Sequence, residues 1–174
     1  ELYKRTEIAN KANGKLFISI HCNSMPKKPH PANGCETYIL RPGRNEDAAR
    51  VAQRENAVVK YETSQERYRS MDEEEIILAT MAQRSFVRFS EELARKVQAR
   101  VSKATGLKNR GVNQAGFYVL VGASMPNILF ETAFISNTKD SKLVSSSSGQ
   151  NKMVRAMLQA IKDYAAFYKK NLSN

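Results

Sequence analysis

Apolar residues recur along this chain with two different periods, and the switching between them is the first structural signal. Residues 6–13 read as the end of a helix, which Gly14 stops before the run Leu16-Phe17-Ile18-Ser19-Ile20. That run is short and rich in β-favouring residues, so it predicts a buried strand opening at His21-Cys22-Asn23-Ser24. Residues 25–34 hold three prolines, a glycine and two lysines, which is a loop composition. Residues 37–40 predict a second strand, closed by Arg41-Pro42-Gly43.

Asn45 is placed to cap a helix whose first turn carries Glu46 and Asp47, charges that suit the positive end of the helix dipole. Within it Ala48, Val51, Ala52, Val58 and Val59 share one stripe, and Glu55 falls on that same apolar face. Residues 61–75 are strongly charged with few apolar anchors and predict a mobile or solvated connection. Helical patterning resumes at about Glu73 and runs to Lys103 with room for a break; Phe86, Phe89 or Ser90, Leu93, Val97 and Val101 face inward.

Thr105-Gly106 ends that segment, and residues 117–121 predict a third strand. Ser124-Met125-Pro126 turns the chain into a fourth, residues 127–131, with Glu131 at its far end. The four consecutive serines within residues 142–149 predict a loop. A final amphipathic helix over about 150–169 then puts Val154, Met157, Leu158, Ile161, Tyr164 and Tyr168 on the core side. Strands interleaved with long helices imply an α/β fold with a mixed or mostly parallel sheet flanked by helices on both faces. In such sheets functional groups gather at the carboxyl ends of strands, where His21 and Glu131 are expected.

The 174 residues suit one domain, and 28 Lys and Arg against 17 Asp and Glu leave a formal charge of +11. That charge favours polyanionic partners: nucleic acid, acidic headgroups or anionic wall polymers. A nucleic-acid-binding domain is disfavoured, because no zinc finger, Gly-rich phosphate loop or aromatic RNA-binding motif is present. The two cysteines, Cys22 and Cys35, form no CxxC pair and read as free thiols. No transmembrane segment or signal-peptide core is evident.

His21 and Glu131 have the chemistry of a zinc ligand and of a carboxylate that takes a proton from water. Taken by themselves they read more readily as structural groups, a hydrogen-bonded histidine and an ion-paired glutamate. His30, between two prolines in a basic loop, reads as a solvent-exposed residue. No HExxH or similar cluster completes a metal site.

Several stretches together carry a resemblance: Arg5-x-x-x-x-Asn10, residues 16–24 (LFISIHCNS), residues 34–38 (GCETY), the segment from Gly111 to Leu120, and residues 126–137 (PNILFETAFISN). In order and separation they resemble the zinc-dependent N-acetylmuramoyl-L-alanine amidases of the amidase-3 family over essentially the whole chain. The resemblance implies that His21 binds zinc and Glu131 is catalytic in hydrolysing the amide between N-acetylmuramic acid and L-alanine in peptidoglycan. It implies a periplasmic or secreted location and a role in cell separation or wall remodelling. It also implies two further zinc ligands, a Gly-His-Gly-Gly motif and a glutamate upstream of residue 1, so that residues 1–174 form the amidase domain without its N-terminal strands. Ala133 stands where the family usually has glycine.

The stretch at about 42–101 resembles the helical insert of amidases controlled by partner proteins, in which a glutamate from the insert coordinates the zinc. Glu55, followed by Asn56, is the candidate for that regulatory plug; the competing reading is a rim carboxylate paired with a lysine or arginine. Glu62 and the run Glu73-Glu74-Glu75 are rivals that read as solvated charges. An activator protein acting on the insert is the implied partner. The alternative to an enzyme is a non-catalytic wall-binding or regulatory module with an incomplete metal site.

Overall fold

A computed structural model describes residues 1–43, 45–69 and 71–172. The elements run α1 (Leu2–Lys11), β1 (Phe17–Asn23), β2 (Cys35–Leu40), α2 (Glu46–Asn56), two 3-10 turns, α3 (Glu73–Ala82), α4 (Arg84–Thr105), β3 (Asn109–Ala115), a third 3-10 turn, β4 (Asn127–Phe134), α5 (Thr138–Ser145) and α6 (Ser147–Leu172). The four strands make one sheet in the order β1-β4-β2-β3, flanked by helices.

Strand directions follow from the bonds at the ends. Phe17 N donates to Pro126 O at 3.0 Å and Ile135 N to Asn23 O at 2.8 Å, so β1 and β4 advance together and are parallel. Asp140 Oδ2 accepts from Gly34 N at 2.7 Å and from Phe134 N at 3.1 Å, which sets the start of β2 beside the end of β4. β2 therefore runs against β4, and the sheet is mixed.

The chain divides into two compact units, the first made of Glu1–Ser19, Tyr38–Ser90 and Asn113–Ile128. In it the α1 side chain of Asn10 donates to Gly122 O at 2.8 Å and accepts from Ser124 N at 2.9 Å. Thr6 Oγ1 reaches Val121 O at 3.1 Å from the same helix. Asn45 caps α2 as expected, its Oδ1 accepting from Ala48 N at 2.8 Å. Ala48, Val51 and Ala52 are buried, but the helix ends at Asn56, so Val58 is 41% exposed and leaves the stripe.

The charged connection is anchored, contrary to expectation. It folds into the 3-10 turns Ala57–Tyr61 and Gln65–Tyr68, and the Glu62 carboxylate accepts from Leu2 N at 2.6 Å and from the Tyr68 hydroxyl at 2.8 Å. A first-turn backbone N–H of α1 thus finds its partner sixty residues away, a bond that composition cannot reveal. The helical stretch breaks between α3 and α4 at Gln83, a buried residue whose amide donates to Leu120 O at 2.9 Å and accepts from Asn127 Nδ2 at 2.8 Å.

The second unit comprises Ile20–Thr37, Glu91–Val112 and Leu129–Asn174. Leu93, Val97 and Val101 are fully buried. Gln98, on the same helix, donates to Cys35 O at 2.8 Å and accepts from Thr37 Oγ1 at 2.9 Å, satisfying polar atoms that would otherwise be costly to bury. The serine-rich stretch is helical: Asn137 caps α5 by accepting from Lys139 N at 3.0 Å and Asp140 N at 3.2 Å, and Ser146 alone separates α5 from α6. α6 buries Met153, Ala156, Ala160 and Tyr164, whereas Val154 and Leu158 are 63% and 52% exposed. The buried face is turned from the expected one because alanine permits close approach, so the closely packed stripe does not coincide with the bulkiest apolar residues.

The expectation for the third strand is corrected. The third strand is the polar segment Asn109–Ala115 at the sheet edge, and the apolar segment that followed instead holds the 3-10 turn Tyr118–Leu120. The side chain of Asn56 donates to Gly116 O at 2.7 Å and accepts from Tyr118 N at 3.0 Å, diverting those backbone groups from a ladder. Among the described residues no helix is long and apolar enough to cross a membrane.

Candidate functional site

His21 and Glu131 both lie in the second unit, on the neighbouring strands β1 and β4. Neither ends its strand: β1 continues to Asn23 and β4 to Phe134. The apolar runs stop at these residues, but the backbone ladder does not. The Thr132 hydroxyl, one residue beyond Glu131, donates to His21 O at 2.9 Å and lies 3.2 Å from Cys22 Sγ. Because successive side chains alternate across a sheet, Cys22 and Thr132 share one face, and His21 and Glu131 share the other.

On that face the imidazole and the carboxylate offer ligand atoms within 4.8 Å of each other. His21 is half-buried and Glu131 is 0% exposed. An imidazole and a carboxylate at that separation are donor types suited to a metal centre.

Sequence reasoning assigned no role to a second polar cluster on this unit. Glu36, 3% exposed at the start of β2, accepts from Asn23 Nδ2 at 2.5 Å and from Arg110 Nε at 2.8 Å. The signal was present as a glutamate and an asparagine within otherwise strand-like stretches. His30 is half-buried, not exposed: its Nδ1 accepts from Ala32 N at 3.0 Å, and its own backbone N–H donates to Ser136 O at 2.9 Å.

Glu55 lies in the first unit, one residue before the end of α2, with its side chain 20% exposed and Arg54 Nε 3.3 Å from Oε1. The rival Glu62 is engaged with α1 and Tyr68, as described above. Glu73, Glu74 and Glu75 occupy the first turn of α3, where their charge favours the helix dipole.

Fold and site together define an α/β domain whose mixed sheet carries a candidate metal centre. The chain belongs to the Amidase_3 family, described as N-acetylmuramoyl-L-alanine amidase, which matches residues 1–163. Among curated relatives it is 26% identical over 168 residues to N-acetylmuramoyl-L-alanine amidase AmiA of Escherichia coli (strain K12), covering 94% of this chain and 56% of that protein. It is 30% identical over 169 residues to N-acetylmuramoyl-L-alanine amidase AmiC of Escherichia coli O6:H1, covering 95% and 39%. The chain thus spans about half or less of the length of these curated relatives. Among solved structures, AmiC2 of Nostoc punctiforme matches with a TM-score of 0.62 at 28% identity, covering 95% of this chain and 66% of that one. The amidase from Clostridium difficile 630 matches in fold with a TM-score of 0.64 at 20% identity and the same coverage.

Proposed function

We propose that this chain is the catalytic part of a zinc-dependent N-acetylmuramoyl-L-alanine amidase, cleaving the amide that joins the lactyl group of N-acetylmuramic acid to L-alanine in peptidoglycan. The observation that carries the reading is the pairing of His21 with the buried Glu131 on one sheet face, in a chain of the amidase family. When bound, zinc supplies Lewis-acid chemistry, polarising a carbonyl and lowering the pKa of a water molecule toward about 7. His21 is the ligand this pair contributes, and further ligands complete the coordination. Glu131 takes the proton of the attacking water as the oxygen–carbon bond forms, then delivers it to the L-alanine nitrogen as the carbon–nitrogen bond breaks.

Glu55 is the regulatory element of this reading. The reading assigns Glu55, on the apolar stripe of α2 in a stretch that resembles a regulatory insert, as a third carboxylate for the same centre. Glu55 there occupies the position substrate needs, so the resting enzyme is autoinhibited. An activator protein that draws α2 away restores access, and a swing from 1:99 to 99:1 requires about 5.5 kcal/mol of differential affinity. The substrate places the enzyme outside the cytoplasmic membrane, in the periplasm or cell wall, with a role in cell separation or wall remodelling.

The test is release of stem peptides from purified peptidoglycan by the protein in its natural length, supplied with zinc. Parent protein releases them slowly, Glu55→Ala faster without any partner, and Glu131→Gln not at all while retaining its fold and stoichiometric zinc by elemental analysis. Absence of release even from Glu55→Ala sinks the enzyme reading and leaves a wall-binding module. A Glu55→Ala protein no faster than the parent sinks the plug.

A further inference from the structure

Glu36 is a buried carboxylate that the mechanism leaves unused. A buried charge is costly unless paired and hydrogen-bonded, and both its oxygens are engaged: Oε1 by Asn23 and Oε2 by Arg110 Nε. The pair is asymmetric, since the glutamate side chain is 4% exposed and the arginine 28%. The Arg110 guanidinium carbon also stands 5.0 Å from the centre of the Phe134 ring. A guanidinium is a rigid planar fork, so fixing it by its Nε and against a ring leaves the four Nη hydrogens aimed in a set direction. Such a preorganised fork binds a carboxylate bidentately with little further loss of entropy.

Its location gives this a use. Asn23 follows His21 by two positions on β1, so the two side chains leave the same face about 7 Å apart. Arg110 stands one bridging carboxylate beyond Asn23, within the reach of about three or four residues of extended peptide from His21 and Glu131. We infer that Arg110 is a specificity residue that binds a carboxylate of the substrate's peptide portion, with Glu36 and Asn23 as the positioning residues that aim it. The inference rests on the amidase reading above and names the substrate class more closely: stem peptides that retain a free carboxylate a few residues beyond the scissile amide.

The test uses two muramoyl peptides that differ only in having that carboxylate free or converted to the carboxamide. Zinc-loaded protein with Glu55→Ala is compared with the same protein carrying Arg110→Gln or Arg110→Lys. The expected result is a preference of about tenfold for the acid, expressed in KM with kcat little changed, abolished by Arg110→Gln and reduced by Arg110→Lys. Calorimetric binding of the same peptides to the protein carrying both Glu55→Ala and Glu131→Gln should show the same preference without turnover. Equal handling of acid and amide, or an Arg110→Gln loss of the same size on both, overturns the inference and leaves the amidase reading standing. Should Arg110→Gln fail to fold, the acid-specific change in Arg110→Lys decides. Failure of the starting protein to cleave or bind either peptide overturns both readings.

Discussion

Asp140 is the sharpest test of how the sheet is held around the site. It is 4% exposed in the first turn of α5, and its Oδ2 accepts from Gly34 N at 2.7 Å and Phe134 N at 3.1 Å. One oxygen thus ties the entry of β2 to the exit of β4, the strand carrying Glu131. Asp140→Ala deletes two charge-assisted bonds, each contributing about 1.5–3 kcal/mol, and leaves two N–H groups without that acceptor. The expected destabilisation is about 3–5 kcal/mol, a large share of the 5–15 kcal/mol typical of a whole domain. Asp140→Asn keeps an acceptor oxygen but loses the charge, and should cost about 1–2 kcal/mol. The assay is equilibrium urea unfolding followed by far-ultraviolet circular dichroism and tyrosine fluorescence, with an unchanged m-value as the check that the denatured state is the same. An Asp140→Ala protein within 1 kcal/mol of the parent would refute the argument. If Asp140→Ala is too unstable to isolate, the ordering parent, Asn, Ala is tested by the midpoint of the Asn variant alone.

Gly34 has φ of +107°, and a Cβ built there meets Lys108 O at 2.3 Å, so Gly34→Ala should destabilise by about 2 kcal/mol or more in the same unfolding assay. The thiols should separate by reactivity: exposed Cys22 reacts with an aromatic disulfide reagent in native protein, and buried Cys35 only after unfolding. Burial pushes the Cys35 thiol up from 9.0 to about 11, so the fold favours its protonated form. That contribution is complete below pH 9 and is lost as pH rises toward 11; Cys35→Ala should flatten this alkaline limb of a stability–pH curve. On α6, exposed Val154→Lys and Leu158→Lys should change the melting temperature little, whereas Ala160→Leu, at a 0% exposed position, should lower it by several degrees through overpacking.

Local chemistry determined much of this protein in advance. The strand run before His21, the apolar run before Glu131 and the Asn45 cap were legible because each depends on residues within a few positions of one another. The candidate site residues were legible as residue types interrupting apolar runs, and a family resemblance attached roles to them. The tertiary structure alone decided which backbone groups found partners far along the chain. Asn109–Ala115 became a strand through its place at the sheet edge, while Asn56 turned the more apolar segment after it into a 3-10 turn. Glu62 anchored a connection whose composition reads as solvated, and the packing of α6 selected its alanines over its larger apolar residues. The pairing of His21 with Glu131 belongs to the same class: residues 110 positions apart meet because β4 lies beside β1, an ordering set by the whole sheet and absent from any local pattern.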